Sequence, residues 1–284
     1  MSSSSGTHAP YHAAPWKALF LSHIQQLPSP EFVMTSLHPA AASSPTPFVP
    51  RLRYLIYRGM WAELPENKHN DAPRNERVYE SELPTFTSDV RMEKVPEIFA
   101  SSAGKGEVSQ AQGSGGGGPV EAVWWIAGDT MTQWRMKGEA FVVGPDIEGE
   151  GEESSGVRTV KSELGKRMRV VKEGGEGEWS WGKELTAHFG NISPGMRGSF
   201  KNPPPGTPVS EPVPDEAMSL GQKVTDLEDP LARKNFRVAV IRPDVVEQLD
   251  LSDPATARRW RYTFVGGAGG GTPGEEWKKE EMWP

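Results

Sequence analysis

Polar groups set inside strand-like, otherwise apolar segments need a reason to be there. Arg53 and Arg58 bracket the apolar run Tyr54–Tyr57, which puts the two cations on opposite faces of one strand. Charges of this kind also blunt edge strands against aggregation. Further on, Thr85-Phe86-Thr87-Ser88-Asp89-Val90-Arg91-Met92-Glu93-Lys94 ends a strand in hydroxyls. Two cations, Arg91 and Lys94, then follow on a turn entering a helix. A phosphomonoester carries roughly −1.5 to −2 charges and suits such donors. Each charge-assisted hydrogen bond to it contributes about 1.5–3 kcal/mol. Gln133 opens the segment Gln133–Gly138. Its amide donates and accepts in one plane, which suits the edge of a flavin ring, although taken alone a plain surface glutamine is the default reading.

Other chemistries are missing. The chain has Cys 0, which excludes disulfides, thiolate zinc sites, cysteine-ligated iron–sulfur clusters and a cysteine nucleophile. Its six histidines show no metal-ligand spacing, and there is no Gly-x-Ser-x-Gly elbow. The acidic run Glu148–Glu153 reads as a solvated loop, because calcium loops need another spacing. Gly115 to Gly118 reads as linker, since no Gly-Lys-Ser/Thr follows. What remains is chemistry supplied by an organic cofactor, or none. A net charge of −7 argues against a nucleic-acid binder.

The elements that must carry these residues are mostly strands. After a tail over 1–13, Trp16, Leu19, Phe20, Ile24 and Leu27 fall at helical spacing. Strands are expected at 31–37, 51–61, 84–88, 120–127, 133–143, 235–242, 245–251 and 257–264. Helices are expected at 92–100, 158–171 and 180–189. Loop insertions are expected near 39–47, 102–118, 145–157 and 266–275. Asn202–Pro214 is proline-rich and extended. There is no βαβ rhythm and no Gly-x-Gly-x-x-Gly after a strand, so a dinucleotide fold does not fit. The expected fold is mainly β with flanking helices, a partly closed antiparallel barrel with Greek-key-like connections over 14–284. The tryptophans sit in strands and helices and read as core and interface packing. No apolar run nears the ~18 residues of a membrane span. Without a secretion or transit signal the expected address is cytoplasmic, and the sequon Asn191-Ile192-Ser193 is idle.

Taken in order, these pieces resemble the pyridoxamine 5'-phosphate oxidase family of FMN-binding split barrels. The family pattern runs Arg-x-Val-Leu-Leu-Lys, then aromatic-Thr with a nearby Arg and Lys, then Gln-x-x-x-x-Gly. Here it reads Arg53-Tyr-Leu-Ile-Tyr-Arg58, Phe86-Thr87…Arg91…Lys94 and Gln133…Gly138, with a Trp277…Met282-Trp283-Pro284 terminus. The resemblance implies an FMN phosphate and ribityl chain held by Arg53, Arg58, Phe86, Thr87, Ser88, Arg91 and Lys94. Gln133 and Arg261 would lie near the isoalloxazine. It further implies a homodimer with FMN at the interface. The small-molecule substrate would be met by Arg197 and Ser199, in Arg197-Gly198-Ser199, and by Arg259.

The departures concern the substrate side. Arg91 and Lys94 are two residues apart where the biosynthetic enzyme has them adjacent, and Arg58 replaces a lysine. Ala257-Arg258-Arg259 lacks the histidine of the family's Arg-x-His pair. Leu249 or Leu251 stands for a flavin-packing tryptophan. Phosphate binding for the cofactor is retained while the vitamer pair is not. The expectation is an FMN-dependent oxidoreductase of a divergent branch; the alternatives are a flavin-binding protein without turnover and an interaction module.

Overall fold

In the computed structural model, residues 13–106, 108–149, 153–266 and 276–284 are described. The expected tail over 1–13 therefore lies outside them except for its last residue, as does most of the expected insertion at 266–275.

The scaffold is a large antiparallel sheet. Its strands are β1 (Glu31–Pro39), β2 (Phe48–Ile56), β4 (Thr85–Asp89), β5 (Gly115–Ile126), β6 (Thr132–Val143), β8 (Phe236–Asp250), β9 (Arg258–Phe264) and β10 (Trp277–Met282). The path runs β10-β9-β8-β6-β5-β1-β2, with β4 also paired to β8. Two short strands, β3 (Tyr79–Ser81) and β7 (Met168–Val170), pair apart from it. The helices are α1 (Lys17–Ile24), α2 (Lys94–Ala100), α3 (Ser155–Gly165), α4 (Trp181–Asn191), α5 (Pro194–Ser199) and α6 (Pro230–Asn235). Among the described residues no helix is long and apolar enough to cross a membrane.

The split is made by β8. One edge of this long strand pairs β6 along its length, while the other pairs β4 at Phe236–Val240 and β9 at Val245–Asp250. A register shift opposite Gly138 lets it bend between the two. Strand pairing alone leaves the sheet open. The gap between β2 and β4 is bridged just past β2, where the Arg58 N–H donates to the Thr85 carbonyl and the Thr85 N–H to the Gly59 carbonyl, both at 2.9 Å. The result is a split barrel, as the motif order implied.

Period-two alternation fills the interior. Phe32 and Met34 of β1, Trp124 of β5, and Trp134 and Met136 of β6 point inward, together with Phe86 of β4. Helix α1 stoppers this core with Trp16, Phe20 and Ile24; Phe20 meets Trp124 and Trp134 edge-on at 5.1 and 5.6 Å. A second core on the other side of β6 and β8 joins Phe141, Val143, Val238 and Val240 to α3 and α4.

The glycine run departs from its expected linker role. Gly115 to Gly118 opens β5 and is buried. A Cβ on Gly116 would meet the Ile98 side chain at 2.7 Å, and one on Gly118 the Ile98 carbonyl oxygen at 2.5 Å. These glycines let α2 lie directly on the sheet. The expected strands at 235–242 and 245–251 are one continuous strand, and the expected helix over 158–171 is α3 followed by β7. The loop at 39–47 is the hairpin connection between β1 and β2.

Candidate functional site

The β2–β4 seam widens into a cleft of about 710 Å³. Arg53 comes to it from β2, Arg58 from the seam, Thr87 from β4, and Met92, Glu93 and Lys94 from the turn into α2. Met196 and the segment Pro205–Thr207 face them across the opening. The chain thus brings four of the expected phosphate ligands, Arg53, Arg58, Thr87 and Lys94, into one concavity.

Their cations are unequally engaged. Arg53 donates through one nitrogen to Glu97 Oε2 at 2.9 Å and through another to Ser36 Oγ. Glu97 is buried in α2, accepts from Ser36 Oγ and lies 3.0 Å from His38 Nδ1. Arg58 differs. Its guanidinium has no hydrogen-bond or ion-pair partner among the described residues, and its Nε is buried without one. Burial draws it below its ordinary value. Lys94 is buried and reaches only Ser88 Oγ at 3.2 Å and the Met92 sulfur at 2.9 Å. Burial first, and then the nearby Arg53 charge, push its pKa down to about 8. Arg58 and Lys94 thus bring two cations without a direct ion-pair partner among the described residues into one cleft.

Other expected ligands are placed elsewhere. Phe86 points into the barrel core, against Phe32. Ser88 is buried behind Lys94. Arg91 forks onto Asp89, at 2.9 Å through Nε and 2.6 Å through a terminal nitrogen. It also donates to the carbonyls of Asn202 and Phe200 at 2.9 and 3.2 Å. Its valences are spent on pinning the 200–202 loop. Arg197 is buried and donates to the carbonyls of Val224, Gly190 and Ile192. Ser199 Oγ donates to the Met196 carbonyl at 2.7 Å.

Gln133, Arg259 and Arg261 lie on the outer face of the sheet. Register fixes this: Gln133 opposes Trp125 and Leu249, Leu249 opposes Arg259, and Glu247 opposes both Arg135 and Arg261. Arg261 forks onto Glu247 at 2.8 and 2.9 Å. Arg53 opposes the inward-facing Met34 and so has the other parity. Glu97, Ser36 and the segment 205–207 were not read from the sequence. They become visible only once α2 and the proline-rich loop are folded over the strand.

Comparison with known proteins places this architecture. Residues 13–144 match the family of the pyridoxamine 5'-phosphate oxidase FMN-binding domain. That span covers β1 through β6, and with them the β2–β4 seam. The cofactor of this family's domain is FMN. A pyridoxamine 5'-phosphate oxidase-related, FMN-binding protein from Nostoc punctiforme is similar over 96% of this chain and 98% of its own. Its sequence identity is 17% and the TM-score 0.55, a likeness of fold. PhzG from Burkholderia lata, solved with tetrahydrophenazine-1-carboxylic acid, matches over 97% of this chain and 94% of its own, at 11% identity and a TM-score of 0.44. No curated protein matches the chain.

Proposed function

We propose that the chain is an FMN-dependent oxidoreductase whose cofactor phosphate is bound by Arg58, Lys94, Arg53 and the Thr87 hydroxyl. The observation that carries this reading is that the unpartnered Arg58 guanidinium and the depressed Lys94 ammonium line one cleft. A phosphate dianion would satisfy both at once, with charge-assisted bonds of about 1.5–3 kcal/mol each. FMN supplies two-electron chemistry; the chain's part is to bind, orient and exclude water. Ser88 orients the Lys94 ammonium, and Glu97 with Ser36 fixes the plane of the Arg53 fork.

A homodimer completes the site. Gln133 and Arg261 sit on the sheet face opposite to that of Arg53, so a second copy of the chain delivers them to the flavin ring. Exposed Leu52, Tyr54 and Trp125 share that outer face and supply the apolar contact.

The test is an absorbance spectrum of the purified protein before and after FMN is added. Flavin bands that co-migrate with the protein support the reading, and their absence after titration overturns it. Anaerobic bleaching of the bound flavin by an electron donor separates the oxidoreductase from a flavin-binding protein without turnover.

A further inference from the structure

Past Thr87 and Met92 the cleft continues into a second chamber of about 540 Å³, a volume that suits a small molecule. Met196, Pro205 and Thr207 line both spaces, so a ligand in the chamber adjoins whatever fills the cleft. The chamber differs from the cleft in chemistry. Its ionisable lining residues are two carboxylates, Asp89 and Glu211, and no lysine or arginine lines it. Arg91, next to the lining Met92, is committed to Asp89 and two carbonyls, and the Lys94 ammonium, which touches Ser88 and Met92, lies on the cleft side. Pro203, Pro204, Pro208, Pro212 and Pro214 form one wall. Proline has no N–H, so this wall offers ring faces and carbonyl oxygens but few donors. Phe200, Val213 and Leu220 complete an apolar surface. Of the expected substrate-phosphate pair, Arg197 is bonded to backbone carbonyls and does not line the chamber, while Ser199 lines it with its hydroxyl proton already given to the Met196 carbonyl.

With the cleft filled, a phosphorylated ligand entering this space would meet two lining carboxylates and no lining lysine or arginine. A neutral ring would meet apolar side chains and proline faces. We infer that the chamber binds a neutral, largely apolar ring compound as the second ligand beside the cofactor, and that it excludes phosphorylated vitamers. The inference rests on reading the adjoining cleft as the FMN phosphate site.

The experiment is equilibrium dialysis of the full chain with menadione, a neutral naphthoquinone, without and with saturating FMN. Pyridoxamine 5'-phosphate serves as competitor, and V213D/L220D as the variant. Val213 and Leu220 are 47% and 76% exposed, so the fold tolerates the change. We expect menadione to be retained in both states and, with FMN filling the phosphate cleft, not displaced by pyridoxamine 5'-phosphate. The variant should weaken menadione at least about tenfold while its FMN titration matches that of the parent chain. Displacement by pyridoxamine 5'-phosphate from the FMN-saturated chain, or unchanged menadione affinity in the variant, overturns the inference. Displacement by FMN also overturns it, because the chamber then houses the cofactor's own ring. FMN titration of the parent chain tests the phosphate cleft separately. If FMN fails to bind, that reading falls, while menadione on the cofactor-free chain still decides the chamber.

Discussion

Glu97 Oε2 lies 2.9 Å from a terminal nitrogen of Arg53, and the carboxylate is almost wholly buried while the guanidinium side chain is 19% exposed. The acid comes from α2 and the base from β2, so the pair ties the helix to the edge strand. Removing the acid leaves a largely buried cation unpaired. Glu97→Ala should therefore lower stability by about 3 kcal/mol, the lower end for a broken buried pair because Arg53 keeps some solvent. Glu97→Gln, which retains an acceptor, should cost less. Urea unfolding measures both, and an unchanged midpoint for Glu97→Ala would show that the pair does not hold α2 in place.

Lys94 gives the site a pH signature. Its pKa falls from 10.5 to about 8 on folding, chiefly through burial. Between those values the unfolded chain holds the proton and the folded chain does not. The Lys94 contribution to stability of the cofactor-free protein therefore rises with pH across that window and is flat below about 8. A bound phosphate reverses the preference by favouring the ammonium. FMN affinity should be highest below pH 8 and fall as pH rises, with proton uptake on binding at and above about pH 8. Titration calorimetry in buffers of different ionisation enthalpy reads that proton directly. Lys94→Met should stabilise the cofactor-free protein at pH 7, weaken FMN and abolish the proton uptake.

Arg58 and Arg91 make an opposed pair of tests. Arg58 has no partner to lose, so Arg58→Met should leave stability nearly unchanged and weaken FMN by about tenfold to a hundredfold, the worth of one charge-assisted bond. Arg58→Lys should recover only part, because an ammonium lacks the fork. Arg91→Ala should do the reverse: FMN affinity nearly unchanged, but the 200–202 loop released and open to proteolysis. Fluorescence quenching of FMN, run beside limited proteolysis, separates the two. A large loss of FMN affinity in Arg91→Ala would return that residue to the phosphate site.

The barrel was legible because its strands obey a two-residue period, and the period depends on residue type alone. Phe32/Met34, Trp134/Met136 and the break at Gly128-Asp129 mark β1, β6 and the turn before β6 without any tertiary knowledge. Gly115 to Gly118 was not legible, since glycine in a linker and glycine under a helix look alike until Ile98 is seen against them. β10 was missed for a related reason. Its Lys278-Lys279-Glu280-Glu281 run has the composition of a solvated tail, and only Trp277 is buried. At the site, residue type and order located the cations. Their free valences were hidden, because Asp89, two residues from Arg91, could equally have faced solvent.

Leu52 and Tyr54 are 66% and 76% exposed on β2, and Trp125 is 45% exposed on β5. Antiparallel register sets Tyr54 in line with Val33, Val123, Arg135, Glu247 and Arg261 across the outer face. An apolar edge beside a charged centre is a surface that a two-fold copy of itself can cover, each charge cluster meeting its own equivalent under the symmetry. Covering it would also bring Gln133 and Arg261 of one chain toward the cleft of the other. Leu52→Asp/Tyr54→Asp should therefore shift the protein from dimer to monomer in sedimentation velocity and weaken FMN in the same titration, although neither side chain needs to touch the phosphate. Dissociation with full FMN affinity would mean that each chain builds its flavin site alone, and a monomeric parent protein would remove the interface altogether.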